Sequence, residues 1–445
     1  MKIKPSEGNK TFCMAPWRHT YLSPQSERRM CCASTEPAQN FTQYIDTAEG
    51  SNTYNPMSLL EHWNSEHMKS IRRRMMAGDE LAECKVCNDK LLHTTVYRDY
   101  FNSMFGKDID QAFEMTNPDG HTDMETVSFD YRFSNLCNFK CRMCGSMLSS
   151  QWEAEERKHN FSAIDENLWM HATVKKQIQD FTKNVVEKEF ADAIERKIIE
   201  EIYWVGGEPL MYEEHWKYMK RIVDIEHGQS VHARYNTNLS RIKYKGTDLF
   251  KDILSNFKSW QICASIDGTG NIGEWIRTGL DYDTFIENFE YGLSFVNRRR
   301  NPRQMQLDFT LTTPGLFEVE KMFDLSLKYD VIIISKVCFA FSPDIILCPM
   351  ALPRNVLNSF VDDILSRIES KATWKQQGMI DMLKNLKQRP TFEEQWPDSF
   401  RSGFLKGKSR QLSIESIREQ NITLNEIFSQ HKDINEWWTQ DETTK

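Results

Sequence analysis

The chain has 445 residues, 40% of them hydrophobic and 12% aromatic, which is enough to bury a core in two or three domains. Its formal net charge of −8 disfavours broad binding to a nucleic-acid backbone. A run of about 18 apolar residues, as a transmembrane helix requires, is missing from the sequence. The N-terminus lacks the apolar core of a signal peptide, so we expect a soluble, cytoplasmic protein.

In chain order, the sequence divides into four parts. An amphipathic helix over 57–76 is predicted between two cysteine groups, and glycine and proline mark a linker after it. Strand and helix patterns then alternate, and the last part is mostly helical. The predicted parts are a cysteine-rich module at 1–100, a linker at 101–125, an α/β domain at 126–345 and a helical region at 346–445.

The α/β domain is predicted from six strand-like segments, at 127–133, 202–206, 231–238, 260–266, 305–312 and 331–341. Helical patterns lie between and after them, at 151–157, 174–190, 212–226, 247–256, 282–296, 316–329, 356–369 and 374–387. Strand alternating with helix indicates parallel βα units. Six units are too few for a closed eight-stranded barrel, so a partial barrel or an open sheet is expected.

The most informative motif is a cysteine triplet directly after the first of these strands. Cys137, Cys141 and Cys144 have C-x3-C-x2-C spacing. In a reducing cytoplasm such groups indicate metal ligands, and thiolates select iron–sulfur clusters, zinc or copper(I). Three ligands on a four-iron cluster would leave one iron open to a small molecule. The alternative is a structural zinc site that borrows Cys263 or His159 as its fourth ligand.

This triplet after a first barrel strand resembles the radical S-adenosylmethionine (SAM) superfamily. The resemblance implies a partial (β/α)6 TIM-like barrel and a [4Fe–4S] cluster on Cys137, Cys141 and Cys144. It also implies reductive cleavage of SAM to a 5′-deoxyadenosyl radical that abstracts hydrogen from the substrate. Further residues resemble the family's SAM contacts at the ends of later strands, namely Gly206, Gly207, Glu208, Pro209, Asn236, Asn238, Ser265, Asp267 and Arg277.

A second cysteine group lies near the N-terminus. Cys84 and Cys87 form a C-x2-C pair, and Cys13 with Cys31 or Cys32 would complete four ligands. Spacing alone favours iron–sulfur and structural zinc equally. The surrounding sequence resembles SPASM/Twitch auxiliary-cluster modules, which implies an auxiliary [4Fe–4S] cluster in the module at 1–100. Cys31 and Cys32 remain alternatives for one of its ligands.

The expected function is therefore that of a radical SAM oxidoreductase supplied with electrons by flavodoxin or ferredoxin. Relatives with SPASM/Twitch modules often modify peptides, so peptide oxidation or crosslinking is the first hypothesis for the substrate. A small molecule such as a sugar or a cofactor precursor is the second. A zinc-binding interaction protein on a degenerate barrel is the alternative from another class. Neither a nucleic acid nor a membrane is expected as a partner.

Overall fold

The computed structural model describes residues 2–35, 56–90, 97–159, 168–297, 301–338 and 344–440. The last three residues of the predicted sixth strand, 339–341, lie outside this part. The chain divides into two compact units. The first comprises Met1–Leu136, Ala154–Arg234 and Asn256–Trp260, and the second comprises Cys137–Glu153, Tyr235–Ser255 and Gln261–Lys445.

The strands confirm the α/β fold class. Eight of them form one sheet in the order β10-β9-β8-β5-β4-β3-β1-β2, and β6 and β7 form a separate hairpin. Pairing is parallel between β1 and β3, β3 and β4, β8 and β9, and β9 and β10, and antiparallel between β1 and β2. The strands are β1 His19–Leu22, β2 Arg28–Arg29, β3 Ser128–Tyr131, β4 Glu201–Trp204, β5 His232–Thr237, β6 Lys243–Tyr244, β7 Thr247–Asp248, β8 Ser259–Ser265, β9 Met305–Leu311 and β10 Ile332–Val337.

All six predicted strands are present, as β3, β4, β5, β8, β9 and β10. The N-terminal strands β1 and β2 were not predicted. All four residues of β1 are buried, so its sequence His-Thr-Tyr-Leu has no alternation of buried and exposed positions that would mark a strand. Within the first unit, β1 pairs with β3 in parallel, with Tyr21 opposite Asp130.

Helices fill the connections and the C-terminal region. The α-helices are α1 Ala15–Arg18, α2 Leu59–Trp63, α3 Glu66–Ala77, α4 Lys85–Lys90, α5 Tyr97–Met104, α6 Ile109–Glu114, α7 Ser150–His159, α8 Ala172–Phe181, α9 Glu187–Glu195, α10 Glu213–Asp224, α11 Gly270–Ile276, α12 Tyr282–Leu293, α13 Val319–Tyr329, α14 Arg354–Ile368, α15 Gln377–Gln388, α16 Phe392–Gln395, α17 Pro397–Ile417, α18 Leu424–Phe428 and α19 Lys432–Thr439. In the part of the chain described, no helix is both long and apolar enough to cross a bilayer.

Three predicted helices take a different form. The helix predicted at 57–76 is split into α2 and α3, because Ser58 and Ser65 each accept a backbone hydrogen bond that starts a new helix. A π-helical turn at Thr182–Val186 separates α8 from α9 within the predicted 174–190 helix. At 247–256, Asp248 caps a π-helical turn, Leu249–Ile253, instead of an α-helix.

Each unit has an apolar core of its own. In the first unit, the N-terminal segment and α3 bury Phe12, Trp17, Met68 and Ile71. In the second unit, the C-terminal helices bury aromatic rings against one another, with Phe428 and Trp438 5.1 Å apart between centroids. The C-terminal region is therefore helical, as predicted.

Candidate functional site

The central cysteine loop, residues 137–144, begins the second unit. Cys137 is buried, whereas Cys141 and Cys144 are partly exposed. The Cys137 sulfur accepts the backbone N–H of Phe139 at 3.4 Å, and the N–H of Cys144 donates to the Cys141 carbonyl at 3.0 Å. These contacts are within one short turn. The loop thus carries three thiols within one short segment, and three is the number of protein ligands on a cluster with one open iron.

Segment 276–279 holds this loop from one side. The backbone N–H groups of Lys140 and Arg142 each donate at 2.8 Å, to the carbonyls of Thr278 and Ile276. At Gly279, which has a φ of 109°, an added Cβ would lie 3.0 Å from the Asn138 carbonyl oxygen. A side chain at this position would therefore strain the backbone and crowd the loop.

Two charged side chains stand beside the loop. Arg277 Nη1 lies 4.0 Å from the Cys141 sulfur, and Arg277 Nε lies 2.6 Å from Asp267 Oδ2. The second contact is an ion pair without the alignment of a hydrogen bond. Burial raises the pKa of the Cys141 thiol to about 12, and the Arg277 charge opposes this rise. The structure thus brings two of the predicted residues, Asp267 and Arg277, to the cysteine loop.

The C-terminal region supports the loop through residues that sequence reasoning did not identify. Arg418 donates to the Lys140 carbonyl at 2.9 Å and lies 4.4 Å above the Trp152 ring. Trp152 Nε1 donates to the Cys141 carbonyl at 2.7 Å. Arg142 is buried and stacks at 4.1 Å on the Trp275 ring. These interactions join α7, α11 and the end of α17 around the cysteines.

A polar cluster links strands β5, β9 and β10 in the second unit. Asn236 Nδ2 donates to Asp308 Oδ2 at 2.7 Å, and Lys336 Nζ contacts both Asp308 oxygens, at 2.7 and 2.8 Å. Asp308 is buried and was not predicted, although a carboxylate within an apolar strand is a recognisable signal. Ser265 lies opposite Asp308 in the register of β8 and β9.

The other predicted asparagine forms part of the loop's surroundings. Asn238 Nδ2 donates to Asn138 Oδ1 at 3.0 Å, and Ser240 donates to Asn238 Oδ1 at 2.7 Å. Asn138 itself donates to Ser240 at 3.0 Å. Asn238 thus orients a residue of the cysteine loop. Cys263, the alternative zinc ligand, lies buried in β8 with Gln261 Nε2 at 3.6 Å from its sulfur.

In the first unit, the Gly206–Pro209 segment packs closely against Leu136, in the segment that follows β3. A Cβ at Gly207 would lie 2.3 Å from the Leu136 carbonyl oxygen, so only glycine fits. The N–H of Glu208 donates to that same carbonyl at 2.8 Å. The Glu208 carboxylate is buried and accepts the N–H of Leu210 at 3.0 Å, which caps the short helical turn after Pro209.

The N-terminal cysteines gather at one place in the first unit. A small cavity, called here the N-terminal cysteine cavity, is lined by Cys13, Cys31, Cys84 and Cys87. Cys32 does not line it, although it interacts with Tyr97, which does. Burial raises the pKa of Cys13 to about 12 and of Cys84 to about 11, with further contributions from the other cysteines. Four thiols from three segments of the chain therefore line one cavity.

Throughout the described ranges, no three His, Cys, Asp or Glu side chains are placed to bind a single metal ion. The four thiols nonetheless fit the auxiliary cluster by their number and their common cavity, and the central loop fits the SAM-binding cluster by its three thiols.

The fold and the central loop define an α/β protein with a thiol site that follows a parallel strand. Residues 131–293 match the model of the Radical SAM superfamily, and this range contains the central loop and every predicted SAM contact. This part of the chain is therefore similar to radical SAM domains. None of the curated proteins compared with the chain matches it.

Several solved structures align with parts of the chain. Native anSMEcpe with bound AdoMet has 15% identity and a TM-score of 0.33, and the alignment covers 52% of this chain and 59% of that chain. Streptococcus suis SuiB bound to precursor peptide SuiA has 12% identity and a TM-score of 0.34, and the alignment covers 81% of this chain and 82% of SuiB. TYW1 with a lysine-pyruvate adduct bound has 17% identity and a TM-score of 0.28, and the alignment covers 54% of this chain and 71% of TYW1. The chain thus spans less than two thirds of the first of these.

Proposed function

We propose that Cys137, Cys141 and Cys144 ligate a [4Fe–4S] cluster and that the chain uses SAM as the source of a hydrogen-abstracting radical. When bound, the cluster would supply one electron and an open iron for SAM. The observation that carries this proposal is the structure of the central loop. Its three thiols come from one short turn that is anchored on both sides, and no fourth cysteine belongs to that turn.

The chain's own residues would hold SAM by complementary polar groups. Arg277 carries a positive charge 4.0 Å from the Cys141 sulfur and would bind the SAM carboxylate while keeping Asp267 as its counter-ion. Asn236, Asn238 and Ser265 would provide hydrogen bonds at the ends of β5 and β8. The segment Gly206–Pro209 has no side chains at its two glycines, so its backbone can approach SAM closely. Backbone carbonyls of this segment would accept hydrogen bonds from the amino group of SAM.

The first unit would hold a second, auxiliary [4Fe–4S] cluster. We assign its ligands to Cys13, Cys31, Cys84 and Cys87, because these four line one cavity. We leave Cys32 out of this set because it does not line that cavity. Four protein ligands would close the cluster, so it would transfer electrons rather than bind SAM.

The substrate we propose is a peptide that is oxidised, crosslinked or otherwise matured, with flavodoxin or ferredoxin as the reductant. The support is the resemblance of the N-terminal module to SPASM/Twitch modules. Oxidation or rearrangement of a small molecule is the alternative. Mass spectrometry of candidate peptides co-expressed with the enzyme distinguishes the two, since a peptide substrate would change mass by the loss of hydrogen or a new bond.

The experiment that tests the core of the proposal measures 5′-deoxyadenosine. Anaerobically reconstituted enzyme is incubated with SAM and dithionite, and the nucleoside is quantified. We expect product from the native chain and from Cys263→Ala, and none from Cys141→Ala. A zinc-binding interaction protein would instead contain zinc without iron and would yield no nucleoside from any variant.

A further inference from the structure

A buried arginine shares the N-terminal cysteine cavity with the four thiols. Arg98 lies in α5 and is only 4% exposed. Together with Cys13, Cys31, Cys84 and Cys87 it lines the cavity. The Arg98 side chain therefore borders the same buried space as the four proposed ligands.

The hydrogen bonds of Arg98 fix the orientation of its side chain. Nη1 donates to the Lys10 carbonyl at 3.1 Å, and Nη2 donates to Asn88 Oδ1 at 2.8 Å. Both acceptors are neutral groups, so these bonds do not neutralise the charge of the guanidinium. The third donor, Nε, is buried and lacks a partner of hydrogen-bond geometry within the described residues, and the Arg98 side chain also interacts with the Cys84 thiol. Burying an N–H without an acceptor is unfavourable, so this donor points to a further acceptor in the site.

We propose that Arg98 is a positioning residue that raises the reduction potential of the auxiliary cluster, with its Nε–H donating to a sulfur of that cluster. This inference rests on the proposed function, because it requires the cluster on Cys13, Cys31, Cys84 and Cys87. Reduction adds one electron from an external donor to the cluster and makes it more negative. A fixed positive charge at short range in a buried site stabilises that reduced form, and so does a hydrogen bond to sulfur. A raised potential suits a cluster that accepts electrons.

The test isolates the auxiliary cluster in the full-length chain. Cys137, Cys141 and Cys144 are all replaced by Ala, which removes the proposed SAM-binding cluster. The remaining cluster is titrated with dithionite and followed by its EPR signal. In this background we expect Arg98→Met and Arg98→Gln to shift the midpoint potential to more negative values, and Arg98→Lys, which keeps the charge, to restore most of the shift. Arg73→Met removes an exposed arginine from the same module and is the matched control, with no expected shift.

The outcomes separate this inference from the proposed function. If the triple-alanine background binds no iron, the auxiliary cluster itself is disproved and the inference falls with it. If a full cluster forms and its potential is the same in Arg98→Met, Arg98→Gln and the background, Arg98 does not tune the cluster. If both neutral variants lose the cluster whereas Arg98→Lys keeps it, Arg98 is required for the cluster to assemble. The proposal that Arg98 raises the reduction potential is then also rejected.

Discussion

Arg277 and Asp267 form a buried ion pair against the central cysteine loop. Their closest atoms, Nε and Oδ2, are 2.6 Å apart, and the Asp267 side chain is fully buried. Asp267 Oδ1 also accepts the backbone N–H of Thr310 at 2.7 Å. Burial raises the pKa of Asp267, and the neighbouring Arg277 opposes this rise. The carboxylate thus holds in place the arginine that lies next to Cys141.

Breaking this pair should destabilise the second unit. Arg277→Met leaves Asp267 buried without its counter-ion, and we expect the free energy of unfolding to fall by about 3–5 kcal/mol. The double variant Arg277→Met/Asp267→Asn should lose less than the sum of the two single variants, because neither charge is then left alone. Urea denaturation measures all three, and exposed Arg303→Met is the control. Strictly additive losses would show that the two residues do not interact.

The choice between Cys31 and Cys32 gives a second prediction. With Cys137, Cys141 and Cys144 replaced by Ala, iron analysis should find about four iron atoms per chain, which belong to the auxiliary cluster. Adding Cys31→Ala should lower that number strongly, because this residue lines the N-terminal cysteine cavity. Adding Cys32→Ala should leave it unchanged. The reverse result would show that Cys32 is the ligand.

The C-terminal support of the central loop gives a third prediction. Arg418→Ala removes a hydrogen bond to the Lys140 carbonyl and the stacking on Trp152. We expect a loss of about 1.5–3 kcal/mol in stability, the range for hydrogen bonds made by charged groups. Cluster loss in air, followed by the fall in visible absorbance, should be faster than in the native enzyme. Lys406→Ala changes an exposed residue of α17 and serves as the control. Equal rates in both variants would contradict a supporting role.

The pH dependence of stability should depend on His215. Burial lowers the pKa of this histidine to about 3, and its ring packs 4.9 Å from that of Trp204. In the unfolded chain a histidine titrates near 6.5, so between pH 7 and pH 5 the unfolded state binds a proton that the folded state does not. Stability therefore falls as the pH falls. His215→Phe should reduce that fall by about 2 kcal/mol. Urea denaturation at pH 7 and at pH 5 measures the free energy of unfolding of both proteins. The same loss of stability in His215→Phe as in the native chain would contradict this role of His215.

Much of the fold could be predicted because the strands of the parallel sheet are apolar and separated by amphipathic helices. Strand β1 was not predicted, because its four residues are all buried and show no alternation of apolar and polar positions. It also pairs with β3, which lies about 100 residues further along the chain. The helix boundaries at 57–76 were missed because two serine caps lie within one amphipathic pattern.

The candidate site was predictable where its residues are close in sequence. The spacing of Cys137, Cys141 and Cys144 and their place after a strand indicated the central loop directly. Arg418 supports that loop from 278 residues beyond Lys140, and nothing in its local sequence marks the contact. Arg98 is likewise an ordinary helix residue until the fold brings it to the N-terminal cysteines.

The binding of SAM to an open iron on the central loop is the claim on which the whole account depends. The most direct measurement is EPR spectroscopy of the dithionite-reduced enzyme with and without SAM. To leave only the central cluster, Cys13 and Cys84 are replaced by Ala. We expect SAM to change the g-values of the remaining signal, and we expect no signal when Cys141→Ala is added. A fully formed cluster whose spectrum is unaffected by saturating SAM would contradict it.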